Sequence, residues 1–338
     1  MLDLEDARPD AARDRHLRMS MDAKLLRSLI YLLETAQGSL RRDYPNTKER
    51  LLHLLRSVED GEGKLRGTAF AIHQQLLLAM RNGNAALADK LLTYVATADW
   101  VGRTPKVLPL WSSAFTAVEG SAFVMTVSDD YESTYSRPLD LTSPDESQIV
   151  AMKEILEMTL DRLSKEDPET MREVEALISD FVIVQSRQTN AGTCFNAFGM
   201  VYLRVLTEAQ EWTTYLESIV HEAAHHHLYA LSTAHSILES EGERLYRSPI
   251  RSEPRPMSGV FHAMFVLART IRCLNIFRAN PRFVAEIERL PTSYNQANNP
   301  APLEEQFLDA YTTVRENARL TALGARLVES CREIALSH

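Results

Sequence analysis

The sequence predicts an α+β fold that is mostly α-helical and contains a small β-sheet. Helical periodicity dominates the first hundred residues, where apolar side chains recur every three or four positions over 22–38 and over 68–98, with a break at 82–84. Residues 180–206 read instead as strand, glycine-containing loop and strand, because "FVIVQ" and "MVYLRV" are β-branched or aromatic. Two long apolar helices are predicted after this sheet.

The predicted domain organisation has three parts. Residues 1–127 form a helical region, in which the stretch 116–130 is rich in β-branched residues and is predicted to be a strand. Residues 128–147 are polar and turn-rich, and are predicted to be a linker or a long surface loop. Residues 148–338 begin in an amphipathic helix and form the metal-binding catalytic region, either as a separate domain or as part of one continuous domain.

The composition restricts the classes of function. The chain has 338 residues, 45% of them hydrophobic and 25% charged, which is typical of a soluble globular protein. The formal net charge of -9, without a basic block interleaved with aromatic residues, disfavours nucleic acid as a partner. Three widely spaced cysteines indicate a reducing compartment, and no apolar run suits a signal peptide or a membrane span. We therefore expect a cytoplasmic protein without a membrane partner.

The stretch "SIVHEAAHHHLYAL" places four histidines and a glutamate in otherwise small or apolar surroundings. His221 and His225 are four residues apart, so they stand one turn apart on one face of a helix that is predicted to begin near Thr207 or Glu208. With Glu222 they make the pattern HExxH, in which two imidazoles can direct ring nitrogens at one cation. The carboxylate can orient a metal-bound water or take its proton. The sequence therefore predicts a zincin-like metal helix.

The other two histidines of this stretch have a simpler interpretation. One or both of His226 and His227 are expected to face solvent or to contact the metal ligands, without binding the metal themselves. For the HExxH pattern itself the alternative is that its histidines are hydrogen-bonded core or surface residues without a metal.

A catalytic metal site needs a third protein ligand. The metzincin extension of HExxH would need glycine and histidine where this chain has Leu228 and Leu231, which excludes that class. His235 or a glutamate of the polar stretch 239–243 is the alternative, but that polar stretch looks exposed. His262 is the better candidate, because it lies on the apolar stripe of a helix predicted over 256–277.

Arg269 lies seven residues after His262, and therefore on the same helix face roughly 10 Å further along the axis. A buried guanidinium needs a carboxylate partner. One possible partner is an Asp or Glu of the protein, and the other is a small diacid bound at the metal. The second arrangement is that of iron oxygenases that use 2-oxoglutarate, in which a basic residue pairs with the far carboxylate. The spacing alone leaves both alternatives open.

Two motif blocks, in this order, resemble those of the HExxH-type peptide β-hydroxylases. These are 2-oxoglutarate-dependent iron enzymes associated with ribosomally synthesised, post-translationally modified peptides. The blocks are "SIVHEAAHHHLYAL" and "YRSPIRSEPRPMSGVFHAMFVLARTIRCL", and the resemblance covers about residues 180–280. In the second block, Glu253 stands where the family usually has aspartate, which keeps the charge. The matching positions of that block are Ser248, Pro249, Arg251, Pro254, Arg255, Pro256, Gly259 and His262.

The resemblance implies an Fe(II) enzyme with 2-oxoglutarate as co-substrate and a precursor peptide as partner. It would hydroxylate the β-carbon of a residue in that peptide. Arg255 or Arg269 would hold the far carboxylate of 2-oxoglutarate, and Glu222 would support the metal site or carry a proton. The implied metal ligands are His221 and His225, and the place of His262 in the second block makes it the predicted third ligand.

Two further classes of function stay open at this point. The first is a zinc metallopeptidase, with Zn(II) held by the same ligands and Glu222 as general base. The second is a non-catalytic peptide-binding module with a degenerate site.

Overall fold

A computed structural model of the chain describes residues 4–35, 45–113, 115–206, 212–250, 253–289 and 301–337. The chain forms two compact units, each assembled from separate stretches. The helical unit comprises residues 1–15, 153–176 and 206–338, and the sheet unit comprises residues 16–152 and 177–205. Helices dominate the described residues and the sheets are small, which confirms the predicted α+β, mostly α-helical class.

The predicted helices of the first hundred residues are confirmed, and they belong to a longer series. α1 starts eleven residues before the predicted 22–38 segment, and the predicted 68–98 segment forms α3 and α4. The helices are α1 (Ala11–Thr35), α2 (Pro45–Glu59), α3 (Gly67–Arg81), α4 (Ala85–Thr97), α5 (Ala117–Tyr135), α6 (Glu146–Glu166), α7 (Pro168–Leu177), α8 (Trp212–Ala234), α9 (Met257–Arg278), α10 (Val284–Glu288), α11 (Leu303–Asn317) and α12 (Ala322–Leu336).

The break between α3 and α4 follows from local chemistry. Gly83 adopts a φ of 67°, in the left-handed region that side chains disfavour. Asn84 then caps α4, because its side-chain oxygen accepts a hydrogen bond from the Leu87 backbone N–H at 3.1 Å.

The sheet unit contains both sheets. The larger sheet has the strand order β3 (Lys106–Pro109), β4 (Asp180–Val184), β6 (Met200–Arg204) and β5 (Ala191–Gly192). β3, β4 and β6 run parallel, with Phe181 of β4 opposite Val107 and Val201, whereas β5 is antiparallel to β6. All five residues of β4 are buried, as expected of a central parallel strand covered on both faces. The strand, loop and strand predicted over 180–206 are thus confirmed. A two-stranded sheet pairs β1 (Lys64–Leu65) with β2 (Val101–Gly102).

The strand predicted over 116–130 is wrong, because this stretch forms most of helix α5. Thr116 and Glu119 make a capping box: the Thr116 hydroxyl accepts from the Glu119 N–H at 3.3 Å, and the Glu119 carboxylate accepts from the Thr116 N–H at 3.0 Å. This cap and a buried helix face outweigh the β propensity of the valines and threonine. The buried face includes Ala122, Phe123, Thr126 and Val127.

The polar region 128–147 also differs from a continuous loop. Its first eight residues belong to α5, which ends at Ser136 in a left-handed conformation with a φ of 54°. Residues 136–145 then connect α5 to α6. Each unit takes stretches from before and after this connection.

Helices α8 and α9 pack against each other in the helical unit, and α9 also packs on α11 and α12. The predicted helix over 256–277 is confirmed as α9. The predicted start of α8 near Thr207 or Glu208 lies outside the described residues. α9 is long and apolar enough to cross a membrane, with a mean hydropathy of 1.4 in its most apolar window, but 78% of that window is buried within the protein. Such burial is typical of a core helix.

Candidate metal centre

Helix α8 positions the two histidines of the HExxH pattern. The ring centroids of His221 and His225 are 5.0 Å apart, as their spacing of one helical turn predicts. His221 is buried and His225 is half-buried. Glu222, between them in sequence, is only 2% exposed. The two imidazoles and this carboxylate therefore lie on a largely buried helix that can hold them in place.

Helix α9 brings His262 to this pair. Nδ1 of His262 lies 3.5 Å from Nδ1 of His225, and the two ring centroids are 5.7 Å apart. Two imidazole nitrogens that bind one ion at about 2.1 Å, at angles of about 90° to 110°, are about 3.0 to 3.4 Å apart. The observed separation is close to that range. His225 therefore contacts both other histidines. Among the described residues, however, the group whose ligand atoms all lie within 4.8 Å of one another is Asp14, Glu173 and His227, and the three predicted ligands do not meet that spacing.

The electrostatics of His262 suit a metal ligand. Burial, assisted by the nearby Arg255 guanidinium, lowers the pKa of His262 to about 4. At neutral pH the imidazole is therefore uncharged, which is the form that binds a metal ion.

Arg255 is held at the start of α9. Its backbone exchanges two hydrogen bonds of 2.7 Å with Tyr246. A Cβ added at Gly259 would lie 3.2 Å from the Arg255 Cβ, so the glycine of the second motif block lets Arg255 lie close against the first turn of the helix. Of the other matching positions, Ser248 and Pro249 are buried, whereas Arg251 lies outside the described residues.

Tyr229 belongs to the same cluster and was not predicted from the sequence. Its ring stacks on His225 with centroids 5.9 Å apart, and its centroid lies 5.5 Å from that of His262. The sequence spacing could have indicated it, because Tyr229 follows His225 by four residues and so continues the stripe of His221 and His225 along α8.

Glu217 is a second residue that the sequence analysis missed. It precedes His221 by four residues on α8, is 6% exposed, and makes no hydrogen bond with other described residues. Burial raises the pKa of its carboxyl to about 8. An acidic residue one turn before the HExxH pattern, in an apolar stripe, was the available signal.

The alternative third ligands lie on an exposed stretch. His235, Glu239 and Glu243 are exposed. Glu241 is exposed too, and its carboxylate accepts a hydrogen bond from the Ser258 N–H at 2.8 Å, in the first turn of α9. This geometry gives Glu241 a capping role and leaves His262 as the candidate that contacts the HExxH pattern, through His225.

Arg269 has protein partners. Its guanidinium forms an ion pair with Glu173 of α7, and its Nε donates to the Ala7 carbonyl at 2.7 Å. Arg269 is 2% exposed. The spacing left open whether the partner of Arg269 is a carboxylate of the protein or a bound diacid. The structure shows a carboxylate of the protein, that of Glu173.

Of the two surroundings expected for His226 and His227, solvent is excluded, because both side chains are 0% exposed. Nδ1 of His227 lies 2.7 Å from the Asp14 carboxylate and 3.9 Å from that of Glu173. No sequence pattern indicates this contact, since Asp14 lies more than two hundred residues earlier in the chain.

Asp14, Glu173 and His227 make a second group of metal-binding side chains, with ligand atoms within 4.8 Å of one another. Burial raises the pKa of both acids and lowers that of His227. However, Arg269 pairs with Glu173, and Arg13 lies 3.9 Å from Asp14. A divalent ion added here would leave a buried surplus of positive charge. The charge balance therefore disfavours a divalent ion at this group.

No family model and no curated protein matches the chain.

Proposed function

We propose that the chain is an Fe(II)- and 2-oxoglutarate-dependent oxygenase of the cytoplasm that hydroxylates the β-carbon of a residue in a ribosomally synthesised peptide. The observation that carries the proposal is the cluster of His221, His225 and His262 on two packed helices, with Arg255 next to it. The resemblance of the two motif blocks to peptide β-hydroxylases supports the choice of reaction.

Each residue of the cluster has its own proposed role. The three imidazoles would hold the ion, and Arg255 would pair with the far carboxylate of 2-oxoglutarate through a charge-assisted bond. Tyr229 forms one wall of the site, and Glu222 would orient the ligands or carry a proton. Bound iron would supply the reaction of O₂ with 2-oxoglutarate, so that a C–H bond, O₂ and 2-oxoglutarate become C–OH, succinate and CO₂.

The test begins with metal content. Protein purified without oxygen is analysed for iron and zinc, and is then incubated with Fe(II), ascorbate, 2-oxoglutarate and a candidate precursor peptide. The proposal expects succinate, and a peptide heavier by one oxygen atom only when 2-oxoglutarate is present. Absence of any 2-oxoglutarate-dependent succinate would contradict it. His53→Ala is the control variant, because it removes an exposed histidine that is not a candidate ligand.

Arg255 is tested by binding of the co-substrate. Arg255→Leu should weaken 2-oxoglutarate binding by at least about tenfold, and Arg255→Lys should restore it poorly because lysine lacks the planar fork of donors. Arg269→Leu tests the other arginine implied by the resemblance, which pairs with Glu173. Unchanged 2-oxoglutarate binding in both leucine variants would remove both arginines from the co-substrate site.

A zinc metallopeptidase is the second candidate. Three imidazoles with a neighbouring buried glutamate also suit catalytic zinc, whereas many iron oxygenases use two histidines and a carboxylate. In a peptidase, Glu222→Gln should abolish hydrolysis by several orders of magnitude while the metal stays bound. Peptide fragments that appear with Zn(II) and without any co-substrate would favour this candidate over the oxygenase.

A further inference from the structure

The N-terminal segment of the chain, residues 4–14, is tied into the core of the helical unit by its backbone. The Ala7 carbonyl accepts from Arg269 Nε of α9 at 2.7 Å, and the Ala7 N–H donates to the Ser330 hydroxyl of α12 at 2.8 Å. Arg13 donates a hydrogen bond to the Asp6 carbonyl at 2.5 Å, which links the two ends of the segment. The segment therefore has a defined path across these helices.

Four elements meet at the end of this segment in a fully buried cluster. Asp14 of α1 contacts His227 of α8 at 2.7 Å, and Glu173 of α7 pairs with Arg269 of α9. His227 and Glu173 are 3.9 Å apart, which joins the two pairs. We call Asp14, Glu173, His227 and Arg269 the buried cluster. Each of its side chains is at most 2% exposed.

Removal of any one side chain should disturb the geometry of the buried cluster. A charge in such a place is tolerated only with its partner, so removal of one side chain leaves the opposite charge buried and uncompensated. The ring of His227 and the guanidinium of Arg269 also both lie against Phe265 of α9, at 5.5 and 4.9 Å from its ring centroid. Packing and charge together therefore fix α8 relative to α9.

The same two helices carry the candidate metal ligands. His227 follows His225 by two residues on α8, which places it roughly 200° around the helix and hence on the other side. Arg269 follows His262 by seven residues on α9, about two turns further along. A shift of α8 against α9 at the buried cluster would therefore change the 3.5 Å separation between His225 and His262.

We propose that Asp14 and Glu173 are positioning residues, through which the N-terminal segment and α7 hold α8 and α9 at the separation that lets His225 and His262 bind one ion. This inference rests on the proposed metal site. It makes metal affinity depend on a part of the chain that has no metal-binding motif and lies far from the ligands in sequence.

The test compares Glu173→Gln with the matched control Asp167→Asn. Asp167 is also a buried acid paired with an arginine of α9, since its carboxylate lies 2.7 Å from Arg272 Nη1. Three quantities are measured for each variant: the urea concentration at half-unfolding, the amide hydrogen exchange of residues 218–231 without metal, and the affinity for Zn(II) by competition with a chelator. Asp14→Asn is a milder second variant, because asparagine can still accept a hydrogen bond from His227.

We expect Glu173→Gln to speed exchange in residues 218–231 and to weaken Zn(II) binding by about tenfold or more, whereas Asp167→Asn of similar stability changes neither. Asp14→Asn should give an intermediate result. Equal exchange and equal affinity in Glu173→Gln and its control would overturn the positioning role. If the wild-type chain binds no Zn(II) or Fe(II) at the histidines, the proposed function fails, and exchange in the metal-free chain still decides whether the buried cluster holds α8 against α9.

Discussion

Replacement of Glu217 by glutamine should stabilise the metal-free protein by an amount that grows with pH. Glu217 is 6% exposed on α8, and burial raises its pKa to about 8 from an ordinary value of 4.5. In the unfolded chain the carboxyl ionises near its ordinary pKa, whereas in the folded chain it stays protonated up to about pH 8. The free energy of unfolding is therefore not reduced by this group below pH 4.5. It falls as the pH rises from 4.5 towards 8, because over this range only the unfolded chain releases the proton.

The magnitude follows from the difference between the two pKa values. Each pH unit between 4.5 and 8 changes the free energy of unfolding by about 1.4 kcal/mol for one group. The wild-type chain should thus lose up to about 3 kcal/mol between pH 4.5 and pH 7 through Glu217. Glutamine has the same shape and does not ionise, so the variant avoids this loss.

The assay is urea unfolding followed by circular dichroism at pH 5, 6, 7 and 8, with a chelator present. The difference in stability between Glu217→Gln and the wild type should increase steadily across this series. An effect of the new amide group that does not depend on pH shifts all four stability differences equally, so it does not change their slope against pH. Glu239→Gln, at an exposed glutamate of the same unit, is the control. A stability difference that stays constant from pH 5 to pH 8 would refute the reasoning for Glu217.

Three further predictions concern the metal centre and two local contacts. His262→Ala should lose most of the bound metal, because a three-point attachment becomes two-point, and full occupancy by elemental analysis would exclude His262 as a ligand. Gly324→Ala should destabilise the protein by about 1–3 kcal/mol in urea, because its Cβ would stand 2.2 Å from the Ile237 carbonyl oxygen, and an unchanged midpoint would contradict this clash. Thr116→Ala should cost about 1 kcal/mol by loss of the capping box with Glu119, whereas equal stability would mean that the cap is not needed.

The sequence was sufficient for features that a few neighbouring residues encode. The spacing of His221 and His225 puts them on a common face once the segment is helical, and their ring centroids are 5.0 Å apart in the structure. The apolar stripe around His262 likewise predicted a buried helix, α9. Both succeed because helical periodicity is a property of the local chain. The same reasoning failed over 116–130, where the capping box of Thr116 outweighed the β-branched composition.

Only the tertiary structure decided which distant residues meet. No pattern in the sequence pairs His227 with Asp14 or Arg269 with Glu173, and the resemblance pointed Arg269 towards a co-substrate instead. The approach of His262 to His225 also depends on how α9 packs on α8. The physical reason is that a sequence stripe defines which face of a helix is buried, whereas the partner of a buried charge is set by the packing of whole helices, to which every residue of their interface contributes.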